Sequence, residues 1–225
     1  MRRLILLLFA IAALAVPAAA GAVERTVSVS ATVERQIPND AAEVRFAVSK
    51  ERPGRAAALR VVARRVRAVI AAAQGSPGVG AGDVTTGSIS VRRVERGRRP
   101  VYRASEGVTV ITHSPEAAGD LVAAGVAAGA TSTRGPRFFV GDREAAYNAA
   151  LVEALERART KAGLLAAAAG ARLGPVITIV ESGAVTPVPG PQASEPEAAK
   201  DVPAPPVKPG RSTVEATVDA TFALE

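Results

Sequence analysis

The chain has 225 residues, with 28 Lys+Arg against 21 Asp+Glu and a formal charge of +7. It contains no cysteine and a single histidine, which excludes disulfide scaffolds, thiol nucleophiles, Fe–S clusters, and thiolate or multi-histidine metal centres. Hydrophobic residues make up 48%, enough to bury a core.

Arg2 and Arg3 precede an apolar run from Leu4 to Val16, followed by small residues around Ala18-Ala19-Ala20-Gly21-Ala22. This is the layout of a secretory signal peptide, expected to be cleaved after Ala20 or Ala22. The run is too short to span a bilayer, which takes about 20 apolar residues. Losing Arg2 and Arg3 takes the charge from +7 to +5. The expected mature chain is exported, periplasmic or outer-membrane-associated, with no further stretch of membrane length.

Alternation of Val27, Val29, Ala31 and Val33 with Ser and Thr predicts a half-buried strand over 26–33. After a turn at Pro38-Asn39-Asp40, Val44, Phe46 and Val48 predict a second. Leu59, Val62, Val66, Val69, Ile70 and Ala73 form the apolar stripe of a helix over 55–74. The glycine-rich run 78–82 follows that helix and precedes a strand, the reverse of a phosphate-binding loop, so it reads as a connector. Strands are expected over 83–94 and 101–112, joined by a basic turn. Ser114-Pro115-Glu116 reads as a helix start with Ser114 as cap, and the helix as ending near Ala128. A strand over 131–140, a long helix from Asp142 to Ala169 and a strand over 172–182 follow.

Residues 184–211 hold eight of the sixteen prolines and read as an extended, mobile insertion. The last stretch alternates cleanly, with Val214, Ala216, Val218, Ala220 and Phe222 on one face, so the C-terminus is expected to dock into the main sheet. The predicted order β-β-α-β-β-α-β-α-β-β gives an α+β fold. It has a mostly antiparallel sheet, helices packed on it and a split βαβ core. Residues 23–225 are expected to form one domain.

These segments resemble the SIMPL-domain family, exported bacterial proteins formerly classed as a domain of unknown function. The likeness rests on Val27-Ser28-Val29-Ser30-Ala31, on Pro38-Asn39-Asp40-Ala41-Ala42-Glu43-Val44, and on Tyr102-Arg103-Ala104-Ser105 leading into Val108-Thr109-Val110. It continues through Ala127-Ala128-Gly129-Ala130, Glu144 to Leu151, Ala158 to Ala162, and Ile179 to Gly183. The resemblance implies an oligomeric cell-envelope protein, associated with oxidative stress and surface antigenicity, with no catalytic motif to carry over. The Arg-rich turn at 96–99 departs from the family pattern.

Chemically, His113 could serve as a general base with Glu106 or Asp120 as its orienting partner, the one hydrolase-like reading the residues allow. No Gly-x-Ser-x-Gly elbow accompanies it, and it reads more simply as a surface turn residue. Carboxylates such as Glu181 read as structural. The basic candidates carry more: Arg92, Arg93, Arg96, Arg98, Arg99 and Arg103 cluster on one hairpin. Guanidinium groups suit phosphate and carboxylate recognition, so this set could bind an anionic envelope lipid or polymer. With 3% aromatic residues there are few platforms for stacking bases, so nucleic acid is not the expected partner. The leading expectation is a non-enzymatic, cofactor-free and metal-free homo-oligomer of the envelope; the alternative is a monomeric module binding anionic components through the hairpin.

Overall fold

The computed structural model describes residues 25–97, 99–182 and 204–225; the expected signal peptide, Arg98 and most of the proline-rich segment lie outside them. Eight strands and three α-helices follow the expected order closely: β1 (Thr26–Pro38), β2 (Ala41–Arg52), α1 (Arg55–Gln74), β3 (Val84–Thr86), β4 (Ser90–Arg96), β5 (Arg99–Thr112), α2 (Ala118–Ala127), β6 (Ser132–Phe139), α3 (Arg143–Ala168), β7 (Leu173–Glu181) and β8 (Arg211–Leu224). The class is α+β, with every strand pairing antiparallel.

The strands divide into two sheets. One runs β3-β5-β2-β6, with β4 also on β5. That order is the split βαβ arrangement: β2 and β5 lie side by side, and α1 and α2 each cross over to an outer strand. The second sheet is β1-β8-β7. The C-terminal strand therefore does not join the main sheet, as its alternation suggested, but pairs with β1 from Thr26↔Ala223 to Pro38↔Arg211. Alternation dictates which face of a strand is buried; it does not name the neighbour.

Each sheet has its own core. On the larger one, Ala58, Val62, Val66 and Val69 of α1 and Leu121 of α2 pack over Val44, Phe46, Val48, Val108 and Val110. On the smaller one, α3 lays Tyr147, Ala150, Ala154, Ala158 and Ala162 over Val29, Val33, Val214, Val218 and Phe222. Asp142 caps α3 by accepting from the Ala145 amide at 2.8 Å, satisfying one orphan donor of the first turn.

Three local expectations are corrected. The strand foreseen over 83–94 is two, because Thr86 pairs with Val108 and Ser90 with Ser105, leaving 87–89 opposite 106–107 as a bulge. The Ser114 side chain makes no cap hydrogen bond; a 3₁₀ turn, Pro115–Ala117, intervenes before α2. Buried Thr112 does the work there, donating to the Pro77 carbonyl at 2.9 Å and accepting from the Ser114 amide at 3.1 Å. This seats the connector so closely that a Cβ on Gly78, whose φ is 71°, would stand 2.5 Å from the Ser114 nitrogen. Third, the described end of the proline-rich segment is docked, not free. Asn39 donates to the Pro209 carbonyl and accepts from the Ser212 hydroxyl, both at 2.6 Å, where the chain passes from one sheet to the other. Asp40 closes the same junction by accepting from the Gly141 amide at 2.6 Å.

Candidate functional site

Strand parity sorts the basic hairpin over two faces. Arg92 pairs with Arg103, and Arg103 is flanked by buried Ala104, so both point away from the helices. Arg93 lies on the same side as Val91, which packs toward the core, and sits 4.0 Å from Glu95. Arg98 lies outside the described residues. Arg96 and Arg103 both turn onto Glu51 of β2, at 3.2 and 2.5 Å. Hydrogen bonds from Arg96 and then Arg103 hold the Glu51 carboxyl below the usual carboxylate range. Of the six arginines foreseen as one anion site, Arg92, Arg96, Arg99 and Arg103 share the outer face and Arg93 points the other way, and three of them, Arg93, Arg96 and Arg103, are already paired.

What the hairpin lacks, the neighbouring strands add. Arg45 on β2 stands between buried Val44 and Phe46 and so faces outward, directly opposite Arg134 of β6. Arg45 and Arg137 both reach Glu43, at 2.7 and 3.2 Å, and the Arg137 guanidinium lies 5.4 Å from the Phe139 ring centre. The outer face of the larger sheet thus carries Arg92, Arg96, Arg99 and Arg103 on one side and Arg45, Arg134 and Arg137 on the other. Among the described residues of that face only Glu43 and Glu51 oppose them. Arg92, Arg99 and Arg134 have no ion-pair partner among the described residues. Arg45 was legible as an outward position; its meeting with β6 depends on a register that no local pattern encodes.

The smaller sheet offers a second feature, its two unlike edges. At β1, Lys161 of α3 donates to the Ser30 carbonyl at 3.2 Å, and Arg35 and Arg157 converge on Glu153 at 3.9 and 2.7 Å. Charged side chains thus overhang that edge, and on α3 itself Glu153, Glu156, Arg157, Thr160, Lys161 and Leu164 line a shallow open groove of about 380 Å³. At β7 the situation is reversed. Among the described residues β7 pairs only with β8, and Val176, Ile177, Ile179 and Val180 are 45%, 45%, 50% and 51% exposed. Two register shifts interrupt the pairing up to Thr178, while Thr178 to Glu181 pair regularly. Past those shifts this is an apolar edge without Lys or Arg, the kind on which another strand can add.

The histidine reading is corrected in its partner. His113 Nε2 lies 3.3 Å from Asp83 Oδ1, across the connector, and not against Glu106 or Asp120. Glu181 accepts from the Tyr147 hydroxyl at 2.7 Å, which ties the end of β7 to α3 and pushes the tyrosine pKa up. Among the described residues there is no group of three or more His, Asp or Glu that could hold a metal ion, and no helix long and apolar enough to cross a membrane.

Comparison with known proteins adds one match. The family model SIMPL, described as a protein of unknown function (DUF541), covers residues 27–222. A search of curated proteins finds no match.

Proposed function

Since the chain belongs to the SIMPL family, which spans nearly all of its described residues, we propose that it works by assembly and not by turnover. On this reading it is an exported, non-enzymatic cell-envelope protein whose copies associate into a scaffold, stress-protective or channel-like particle. The observation that carries the reading is the β7 edge, half exposed and free of cations, on a sheet whose opposite edge is overhung by charge. A second β7, running antiparallel, is its natural complement. Pairing centred on Thr178 would set Val176 against Val180 and Ile177 against Ile179 of the second copy, and would place Glu181 across from Pro175, away from its own counterpart. Main-chain hydrogen bonds and buried aliphatic area would both favour that contact.

Size exclusion with light scattering on residues 23–225 tests the reading. At high salt, where surface charge is screened, the expected result is a discrete oligomer that Ile179→Lys with Val180→Lys reduces to a folded monomer, because lysine on an edge blocks strand addition. A monodisperse wild-type monomer at high concentration would sink it.

A further inference from the structure

The outer faces of the two sheets are opposite in charge, and each keeps like charges directly across from one another. On the smaller sheet, Glu34 of β1 faces Glu215 of β8, both exposed and neither in an ion pair among the described residues. Asp219 lies further along the same face, accepting from the hydroxyls of Ser182 and Ser30. The remainder is largely a hydroxyl surface, with Ser28 on Thr221 and Thr32 on Thr217 at 2.9 Å each. Its cation, Arg211 at the start of β8, donates to the Gln36 carbonyl. On the larger sheet, Arg45 faces Arg134 and Arg92 faces Arg103.

Like charges directly opposite on adjacent strands destabilise the pair that carries them. The Glu34–Glu215 rung is a repulsion that a surface of the other sign would relieve; in the arginine rungs Glu43 holds Arg45 and Glu51 holds Arg103, which leaves Arg134 and Arg92 to face such a surface. The spacing also matches. Both sets are cross-strand pairs on antiparallel ladders, with Cα atoms about 4.5–5.5 Å apart, so a glutamate pair can meet an arginine pair residue for residue. Between the arginine rungs the floor of the larger sheet is small, with Ala47, Ser49, Ser105 and Gly107 on the outward side. Such a floor lets a second sheet approach to the ordinary face-to-face distance of about 10 Å.

We infer that the arginine face of one copy docks on the carboxylate and hydroxyl face of the next. The inference rests on the self-assembly reading but uses a surface separate from the β7 edge. It joins unlike faces, so it propagates head to tail into a ring or filament, whereas β7 pairing is two-fold. It is also electrostatic, and so weakens with salt, while the β7 contact is apolar.

Two double variants of residues 23–225 separate the contacts: Glu34→Lys with Glu215→Lys, and Arg92→Glu with Arg134→Glu. None of these four side chains holds an ion pair within the described residues, so folding should survive, which circular dichroism checks. At low salt, light scattering should show wild-type particles about twofold or more heavier than either variant. High salt should bring the wild type down to the variants' mass. Mixing the two variants in equal amounts should restore the heavier species, since each then meets a face of the opposite sign. Unchanged mass in both variants would overturn the inference while leaving β7 assembly standing; a wild type monomeric at every salt concentration would remove both. A third outcome also overturns it: normal assembly by both variants, with the arginine variant alone losing binding to phosphatidylglycerol–phosphatidylethanolamine vesicles. The arginine face would then serve an anionic lipid and not a second copy.

Discussion

The two layered halves solve one packing problem in opposite ways. Over β1, β8 and β7 the helix gives up its volume: Ala150, Ala154, Ala158 and Ala162 are fully buried, and the sheet supplies the bulk through Val33, Val214, Val218 and Phe222. Over β2 and β5 both layers are bulky, with Val62, Val66, Val69 and Leu121 against Phe46, Val44, Val108 and Val110. There one small residue is set directly against a bulky one: a Cβ at Gly125 of α2 would collide with the Phe46 ring. The alanine ridge brings α3 close along its whole length, so Lys161 and Glu153 reach the β1 edge and Tyr147 reaches Glu181. The spacing of that helix therefore decides which edge of the sheet is guarded. The halves also differ in how the chain builds them. The larger sheet is contiguous from Ala41 to Phe139, whereas the smaller needs both ends of the described chain, joined by the β1–β8 ladder.

Emptying the bulky core gives the largest expected effect. Phe46→Ala removes a fully buried ring from beneath α2 and should cost about 3–5 kcal/mol. If the halves have separate cores in energy as well as in geometry, hydrogen exchange should accelerate in β2, β5 and α2 while β1 and β8 keep their protection. Equal acceleration in both sheets would show that the Asn39 junction couples them into one unit.

Overfilling the alanine ridge is the converse test. Ala158→Leu inserts a branched side chain where α3 lies on the sheet, with an expected cost of about 1–3 kcal/mol. Lifting α3 should also loosen the Lys161 cover of β1, so exchange at β1 should rise with no change in the larger sheet. A cost near zero in thermal unfolding would mean that α3 has room to spare and that the ridge does not set its height.

Much of this fold was legible from residue spacing. The stripe from Leu59 to Ala73, ended by Gly75, placed a helix over about 55–74, where α1 lies, and the alternation from Val214 to Phe222 predicted β8 and its buried face. Spacing could not tell that β8 belongs with β1 in a sheet of its own, because pairing partners lie nearly two hundred positions apart. The candidate site was less legible for the same reason. Parity alone would have parted Arg93 from Arg92, but the neutralising Glu51 and the added Arg134 and Arg137 arrive through pairings with β2. The β7 edge was hidden differently: Val176, Ile177, Ile179 and Val180 read like any core strand, and only the end of the sheet leaves them uncovered.

The smallest expected effect compares one carboxylate from each sheet. Glu51 is held below its ordinary range by Arg96 and Arg103, and Asp219 by the hydroxyls of Ser182 and Ser30. In both, the folded pKa lies below the unfolded one. Each group therefore contributes stability above the ordinary carboxylate pKa of about 4, and that contribution is lost as pH falls through the folded value. The causes differ, however. Guanidinium pairing at an exposed surface is screened by salt, whereas a short hydroxyl hydrogen bond is not. Carboxyl chemical shifts followed through acid at low and high salt should show the depression at Glu51 shrinking and that at Asp219 persisting. Arg103→Gln should mimic the salt effect at Glu51 and leave Asp219 unmoved. If Glu51 keeps its full depression in high salt, its two arginines act mainly as hydrogen-bond donors, and screening of surface charge does not set its titration.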